Sequence, residues 1–327
     1  MNARTLGHPG IHVSEIGLGC WQLGCSDWGS VNEAECLAIL AAAVEASVNF
    51  FDTADVYGSG RSEEIIGKFL KQTGHKIFVA TKLGRTAGLF PDGYSEASLR
   101  AATEDSLRRL GVEALDLTQL HCVPTEILRQ GDVFEWLRKL RDEGKILRFG
   151  ASVESMDEAL ICLEQPGLTS LQIIFNLFRQ KPAEILFPAA LAREVALIVR
   201  LPLASGALAG KLALDTVFSA NDHRNYNRDG KAFNVGETFA GLPYEKAVEF
   251  ADALKPLVPA GFTMAQMAQR WILDHPAVTT VITGASRPMQ VTANAGVSEL
   301  PPLPPELHNS LWEFYQNEVK NHIRGPY

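Results

Sequence analysis

Three short stretches of the chain each end an apolar run on an ionisable residue. In NFFDTADVYGSG, Phe50 and Phe51 lead into Asp52, and Tyr57 follows five residues later. FVAT leads into Lys82, and LTQL leads into His121. Carboxylate, phenol, ammonium and imidazole form a complementary acid–base set. A free phenol keeps its proton until about pH 10. The Lys82 ammonium would favour the phenolate and lower that value, and Asp52 would keep the lysine charged and fixed. His121 would position a carbonyl oxygen or share a proton with Tyr57. Such a set protonates an oxygen on which negative charge develops, as carbonyl reduction requires when a hydride donor lies alongside. Taken singly, each residue has an ordinary explanation. An Asp at a strand end caps a turn, a Lys is solvated, and a His is hydrogen-bonded. None of these explanations predicts that all four meet.

Whether they meet depends on the elements that carry them. Eight β-type segments run through the chain, at 15–21, 48–54, 77–82, 114–121, 146–152, 170–176, 196–203 and 277–286. Helical patterns separate them, such as 32–47, the segment from Ser62 with its capping-box look, and 95–110 with Gly111 at its end. The units recur about every 25–45 residues, the scale of a βα repeat. Eight of them predict an α/β fold, a (β/α)8 TIM barrel formed by residues 1–327 as one domain. A doubly wound open sheet uses the same units, and periodicity alone does not separate the two. In a barrel, the C-terminal strand ends carry the chemistry. Asp52, Lys82 and His121 would then arrive at one rim from three consecutive strands.

HPGIHVSEI, near the start, reads as a short hairpin before the first barrel strand. Residues 204–242 form a long loop after strand seven, and loops of that length are usually functional. Beyond PPLPP the pattern predicts a C-terminal helical extension packed on the outside.

Hydrophobic residues make up 46% and charged residues 21%, enough for a large core in a globular chain. The formal net charge of −8, without a dense basic run, gives nucleic acid no electrostatic support. No apolar stretch is long enough to span a bilayer, and the first residues lack the apolar core of a signal peptide. The five cysteines, at 20, 25, 36, 122 and 162, show no CxxC spacing and read as free thiols, so a cytoplasmic location is expected. Cys122 adjoins His121, but neighbouring strand residues face opposite ways, which argues against a nucleophilic pair. A serine nucleophile elbow and a zinc-binding HExxH are both absent, so no metal is expected. GLGCWQLG lacks the third glycine of a Rossmann fingerprint.

Several ordered motifs carry a resemblance. NFFDTADVYGSGRSEEIIGKFL resembles the signature of the aldo-keto reductase family, and VATKLG and LDLTQLH match its next two motifs. ILRFGASVES, PLASGALAGK and VITGASRPMQVTANA continue the match, so that it runs from about Arg4 to Asn294. The resemblance implies a barrel that binds NADPH, with NADH less favoured, and reversible reduction of a small-molecule aldehyde or ketone to an alcohol. It implies a catalytic tetrad of Asp52, Tyr57, Lys82 and His121, with Tyr57 as proton donor. Ser152 and Gln172 match positions that bond the nicotinamide amide. Leu203, Ser205, Leu208 and Lys211 lie in the segment matching the loop over the pyrophosphate. Gly284, Ser286, Arg287, Gln290 and Asn294 lie in the segment that binds the adenosine end, where Arg287 suits a 2′-phosphate. Arg200 stands where an aromatic ring often stacks on the nicotinamide. Val153 and Ala293 replace a common Asn and Glu. Trp21 would face the substrate, and Trp28 and residues 222–234 would shape its site. Some relatives of such barrels are channel-associated subunits that hold NADPH as a redox sensor, so a regulatory subunit with little turnover is the alternative.

Overall fold

The computed structural model describes residues 1–7, 10–24 and 32–327. Cys25 and Trp28 lie outside the described residues. Two short strands, β1 (Ala3–Thr5) and β2 (His12–Ser14), pair antiparallel with Ala3 opposite Ser14. The predicted hairpin therefore exists, with its first strand slightly earlier than HPGIHVSEI indicates.

Eight strands follow: β3 (Ile16–Gly19), β4 (Phe50–Asp52), β5 (Phe78–Leu83), β6 (Leu117–His121), β7 (Phe149–Ser152), β8 (Leu168–Ile174), β9 (Ala196–Arg200) and β10 (Val278–Gly284). All pair parallel in chain order, and β10 closes on β3 with Val281 opposite Ile16. The sheet is a closed barrel with helices between its strands, which excludes the open doubly wound alternative.

The alternation of residues along each strand sorts the interior. Phe50, Ala80, Leu117, Ala196, Ile198 and Ile282 gather into one apolar cluster with Leu6 and Val13 of the hairpin region. This cluster plugs the end of the barrel at which the strands begin. Phe51 belongs to the other cluster, between sheet and helices, with its ring 6.5 Å from that of Phe69. Asp52, next along, belongs to the interior again.

Local signals explain the helix boundaries. Asn32, Ser95, Ser155 and Thr263 each form a capping box with the third helical residue. Gly111 ends the helix Glu96–Leu110 in the left-handed conformation. Ser62 is not a cap. The helix Arg61–Thr73 starts after Gly60, and the buried Ser62 hydroxyl instead donates to the Cys20 carbonyl at 2.9 Å and accepts from Thr53 at 2.8 Å. It ties the segment after β4 to the residue following β3.

The long loop after β9 holds only short helical turns, including Ala204–Ala209, His223–Tyr226 and Val235–Glu237. The C-terminal helix Pro305–Phe314 packs outside the barrel, as expected. The residues beyond it behave differently. Arg324 donates to the carbonyls of Gly241 (3.0 Å) and Leu242 (3.1 Å), and Pro326 reaches a cavity at the barrel mouth. The extension thus ends on the long loop.

Candidate active site

The C-terminal ends of β4, β5 and β6 deliver Asp52, Lys82 and His121 to one place. The Lys82 ammonium, fully buried, donates to Asp52 Oδ1 at 2.5 Å, to the Thr53 carbonyl at 2.9 Å and to the Tyr57 phenol oxygen at 3.2 Å. Its three protons are thereby all used. Asp52 Oδ2 accepts from Gln172 Nε2 at 2.7 Å and from Gln119 Nε2 at 3.4 Å. The Tyr57 and His121 rings meet edge to face, 5.9 Å between centroids. Since Tyr57 accepts from Lys82, its own proton is free to point elsewhere.

The loop that carries Tyr57 is held by close backbone contact. A Cβ on Gly58 would lie 1.8 Å from the Gly24 carbonyl oxygen, and Gly58 also has a positive φ of 61°. Glycine at this point lets the two backbones touch. Asp55 N–H donates to the Lys82 carbonyl at 3.0 Å and fixes the same loop to β5.

The electrostatics correct one expectation. Burial raises the Tyr57 pKa to about 12, against which Lys82 acts as the main lowering influence. The phenol therefore stays protonated in this state rather than poised near neutrality. For Lys82, burial disfavours the charge, but Asp52 and Tyr57 outweigh it and the pKa is raised. His121 is held well below its usual value, first by burial and then by Lys82, Arg85 and Arg200. It is a neutral imidazole at neutral pH, and its Nδ1 has no partner among the described residues.

Two cavities meet at Trp21 and Tyr57. The smaller, about 200 Å³, is lined by Asp52, Gln172, Arg200, Leu203, Ser205 and Gly284 among others. The larger, about 670 Å³, is lined by Arg85, His121, Glu154, Tyr226, Phe233 and Glu237 among others. Trp21 stacks on Tyr57 with centroids 6.0 Å apart.

The other positions singled out in the sequence fall into three groups. Gln172, Arg200, Leu203, Ser205 and Gly284 line the smaller cavity, although the Gln172 amide also serves Asp52, and Ser205 Oγ donates to the Glu237 carbonyl at 3.2 Å. Ser286, Arg287 and Gln290 gather at the start of the helix Pro288–Ala295. There Gln290 Oε1 accepts from Ser286 N–H at 2.8 Å and from Arg287 N–H at 3.2 Å. Asn294 lies farther along that helix and accepts from Gln269 at 3.2 Å. The third group lines neither cavity. Ser152 is buried beside Cys122, Lys211 is exposed, and the Leu208 side chain is in the core, where it anchors its loop.

Cys122 departs from strand alternation. It follows β6 with φ 47°, and its Sγ lies 3.8 Å from Ser152 Oγ and 3.7 Å from Arg200 Nη2. Burial pushes its thiol up to about 12, so a thiolate nucleophile is still disfavoured. Arg200, in turn, is held by the Val153 carbonyl at 3.4 Å and by Glu237 at 3.3 Å. Arg85, Glu154 and Glu237 were not foreseen. Arg85 and Glu154 lie just past strand ends, where the rim rule could have found them. Glu237 belongs to the long loop, and no local pattern marks it.

Comparison with known proteins agrees with this arrangement. The pattern of the aldo/keto reductase family matches residues 15–316. The chain belongs to that family. It is similar to the aldo-keto reductase YhdN of Bacillus subtilis, 30% identical over 298 residues that span 90% of this chain and 87% of the relative. The solved glycerol dehydrogenase AKR11B4 of Gluconobacter oxydans superposes with a TM-score of 0.81 at 30% identity, covering 99% of this chain and 98% of the other. A probable voltage-gated potassium channel subunit beta of Arabidopsis thaliana is 27% identical over 343 residues, 98% of each chain. As an aldo/keto reductase, the protein is an oxidoreductase. No helix among the described residues is long and apolar enough to cross a membrane.

Proposed function

We propose that this aldo/keto reductase reduces an aldehyde or ketone to an alcohol with NADPH, reversibly, and that Tyr57 is the proton donor. The observation that carries the reading is the Tyr57 phenol at the junction of the two cavities, 3.2 Å from a lysine whose other two protons are already bound. A carbonyl oxygen beside Tyr57 would take its proton as negative charge grows there. Lys82 stabilises the phenolate left behind, and Asp52 keeps Lys82 charged and aimed. The neutral His121 orients the same oxygen without competing as a cation.

The residues present fit a nicotinamide ring in the smaller cavity. Arg200 Nε and Gln22 Oε1, both buried on its wall, lack partners among the described residues. A carboxamide offers the acceptor and the donor that these atoms need. When bound, the cofactor supplies the hydride that goes to the carbonyl carbon. Gln172, Arg200, Leu203 and Ser205 would hold its nicotinamide half, and Gly284 leaves room beside it for the Gln22 side chain. Ser152 would support that end, and Lys211 would serve the pyrophosphate. Ser286, Arg287, Gln290 and Asn294 would hold the adenosine end, with Arg287 favouring NADPH over NADH through the 2′-phosphate.

Tyr57→Phe should keep NADPH binding, read by fluorescence titration, and lose most turnover. Full activity in that variant sinks the assignment. The potassium channel relative favours a second reading, a cofactor-binding regulatory subunit. Rapid turnover across a panel of carbonyls rules that reading out.

A further inference from the structure

Arg85, two residues beyond β5, enters the larger cavity beside Tyr57 and His121. Its guanidinium has two carboxylate neighbours, and neither is close. Nη1 lies 3.4 Å from Glu237 Oε1, and Nη2 lies 3.4 Å from Glu154 Oε1. Charge-assisted contacts normally close to about 2.7–2.9 Å. The same molecule makes such contacts elsewhere, at 2.6 Å for Arg109 with Glu63 and 2.9 Å for Arg270 with Asp274. Arg85 is therefore placed between two acids and tightly bound by neither.

The local charge is also incomplete. Lys82 and Asp52 balance each other, and His121 is neutral. What remains near Arg85 is Arg179 and Arg200 against Glu154 and Glu237, while Asp229 on the cavity wall is paired with Arg324 at 2.9 Å. Burial, and then Glu237, raises the Glu154 carboxyl to about 7, so a large share of it is uncharged at neutral pH. Glu237 is held below its usual range by Arg200 and Arg85, in spite of its burial. The guanidiniums of Arg85, Arg179 and Arg200 thus face little more than one carboxylate. The groups facing Glu154 are Arg85 from the segment after β5, Cys122 after β6, Arg179 after β8, Arg200 on β9 and Glu237 on the long loop. Trp21, Phe90 and Phe233 add apolar walls to the same space.

We propose that Arg85 determines specificity by receiving a carboxylate carried by the carbonyl substrate, so that oxo acids are reduced in preference to uncharged carbonyls of the same length. The inference rests on the reductase reading above and names the substrate class for that site. An arriving carboxylate exchanges two long contacts for a bidentate one. Glu154 takes up a proton as the anion binds, so the guanidiniums then face Glu237 and the substrate anion. The span from Tyr57 to Arg85 sets the preferred chain length.

The test compares kcat/KM with NADPH for 4-oxobutanoate and for its methyl ester, in the wild type, Arg85→Gln, Arg85→Lys and Glu154→Gln. The wild type should favour the acid by about tenfold or more, mainly through KM. Arg85→Gln should bring the ratio close to one, Arg85→Lys should restore part of it, and Glu154→Gln should increase it. A wild-type ratio of one or less, or a ratio that Arg85→Gln leaves intact, overturns the proposal. Reduction of 4-nitrobenzaldehyde by each variant gauges folding and the reaction itself. Turnover of that neutral aldehyde without any preference for the acid removes only this inference, whereas no turnover of any carbonyl removes the reductase reading.

Discussion

The two ends of this barrel use the same strands for opposite purposes. Where the strands begin, Phe50, Ala80 and Leu117 close on Leu6 and Val13. Two residues along the same strands, Phe50 gives way to Asp52 and Ala80 to Lys82. The first end is sealed mainly by apolar burial, with the Arg4–Glu15 pair at 2.8 Å beside it. The other buries full charges and tolerates them only because each has partners, as Lys82 does with three acceptors. The contrast shows that a strand can carry stability in one layer and reactivity in the next, with a single outward residue between them.

The sharpest break in that contrast removes the chemistry and leaves the frame. Tyr57→Phe should lower turnover by about 10²–10⁴-fold, with the melting curve little altered. The next exposes the cost of the charged layer. Lys82→Met leaves Asp52 buried against two amides only, and urea unfolding should show a loss of about 3–5 kcal/mol, part of which Asp52→Leu in the same chain recovers. At the apolar end, Phe50→Ala should cost a similar or smaller amount, about 3–5 kcal/mol, through the cavity it creates. Folded Phe50→Ala should retain its turnover, because the acid–base groups lie a layer away. Equal loss of activity from both ends would mean that the layers are not separable.

The smallest expected effect concerns Asp55. Its carboxyl is buried, neither oxygen has a hydrogen-bond partner among the described residues, and burial together with Glu63 raises it to about 7. A carboxyl raised above its unfolded value of about 3.9 contributes its full stability below that value and loses it as pH rises through the folded value. Asp55→Asn should therefore raise the melting temperature by a few degrees at about pH 8 and leave it unchanged at about pH 4. An equal shift at both pH values would refute the electrostatic account.

Much of this was legible in the sequence because strand alternation and apolar runs are local. All eight barrel strands follow from apolar β-type runs, and the rim meeting of Asp52, Lys82 and His121 follows from three of those runs leading into an ionisable residue. The sequence reading failed where the chain leaves regular geometry. Cys122 turns inward because a left-handed residue breaks the alternation, and Ser62 bonds back to Cys20 instead of capping its helix. The direction of the Tyr57 shift is set by burial, a property of the whole fold, which outweighs the lysine beside it and leaves no mark in the local sequence. Contacts of Glu237 with Arg85 and Arg200 join segments far apart in the chain, and no spacing announces them.

The path of the last residues has a practical consequence for handling the protein. Arg324 is fastened to the long loop, and Pro326 borders the larger cavity. A peptide inserted at Pro326 would therefore lie beside that opening. Met1 lies by Glu299 and leads into the hairpin at the far end of the barrel, so a peptide joined there stays clear of the cavity.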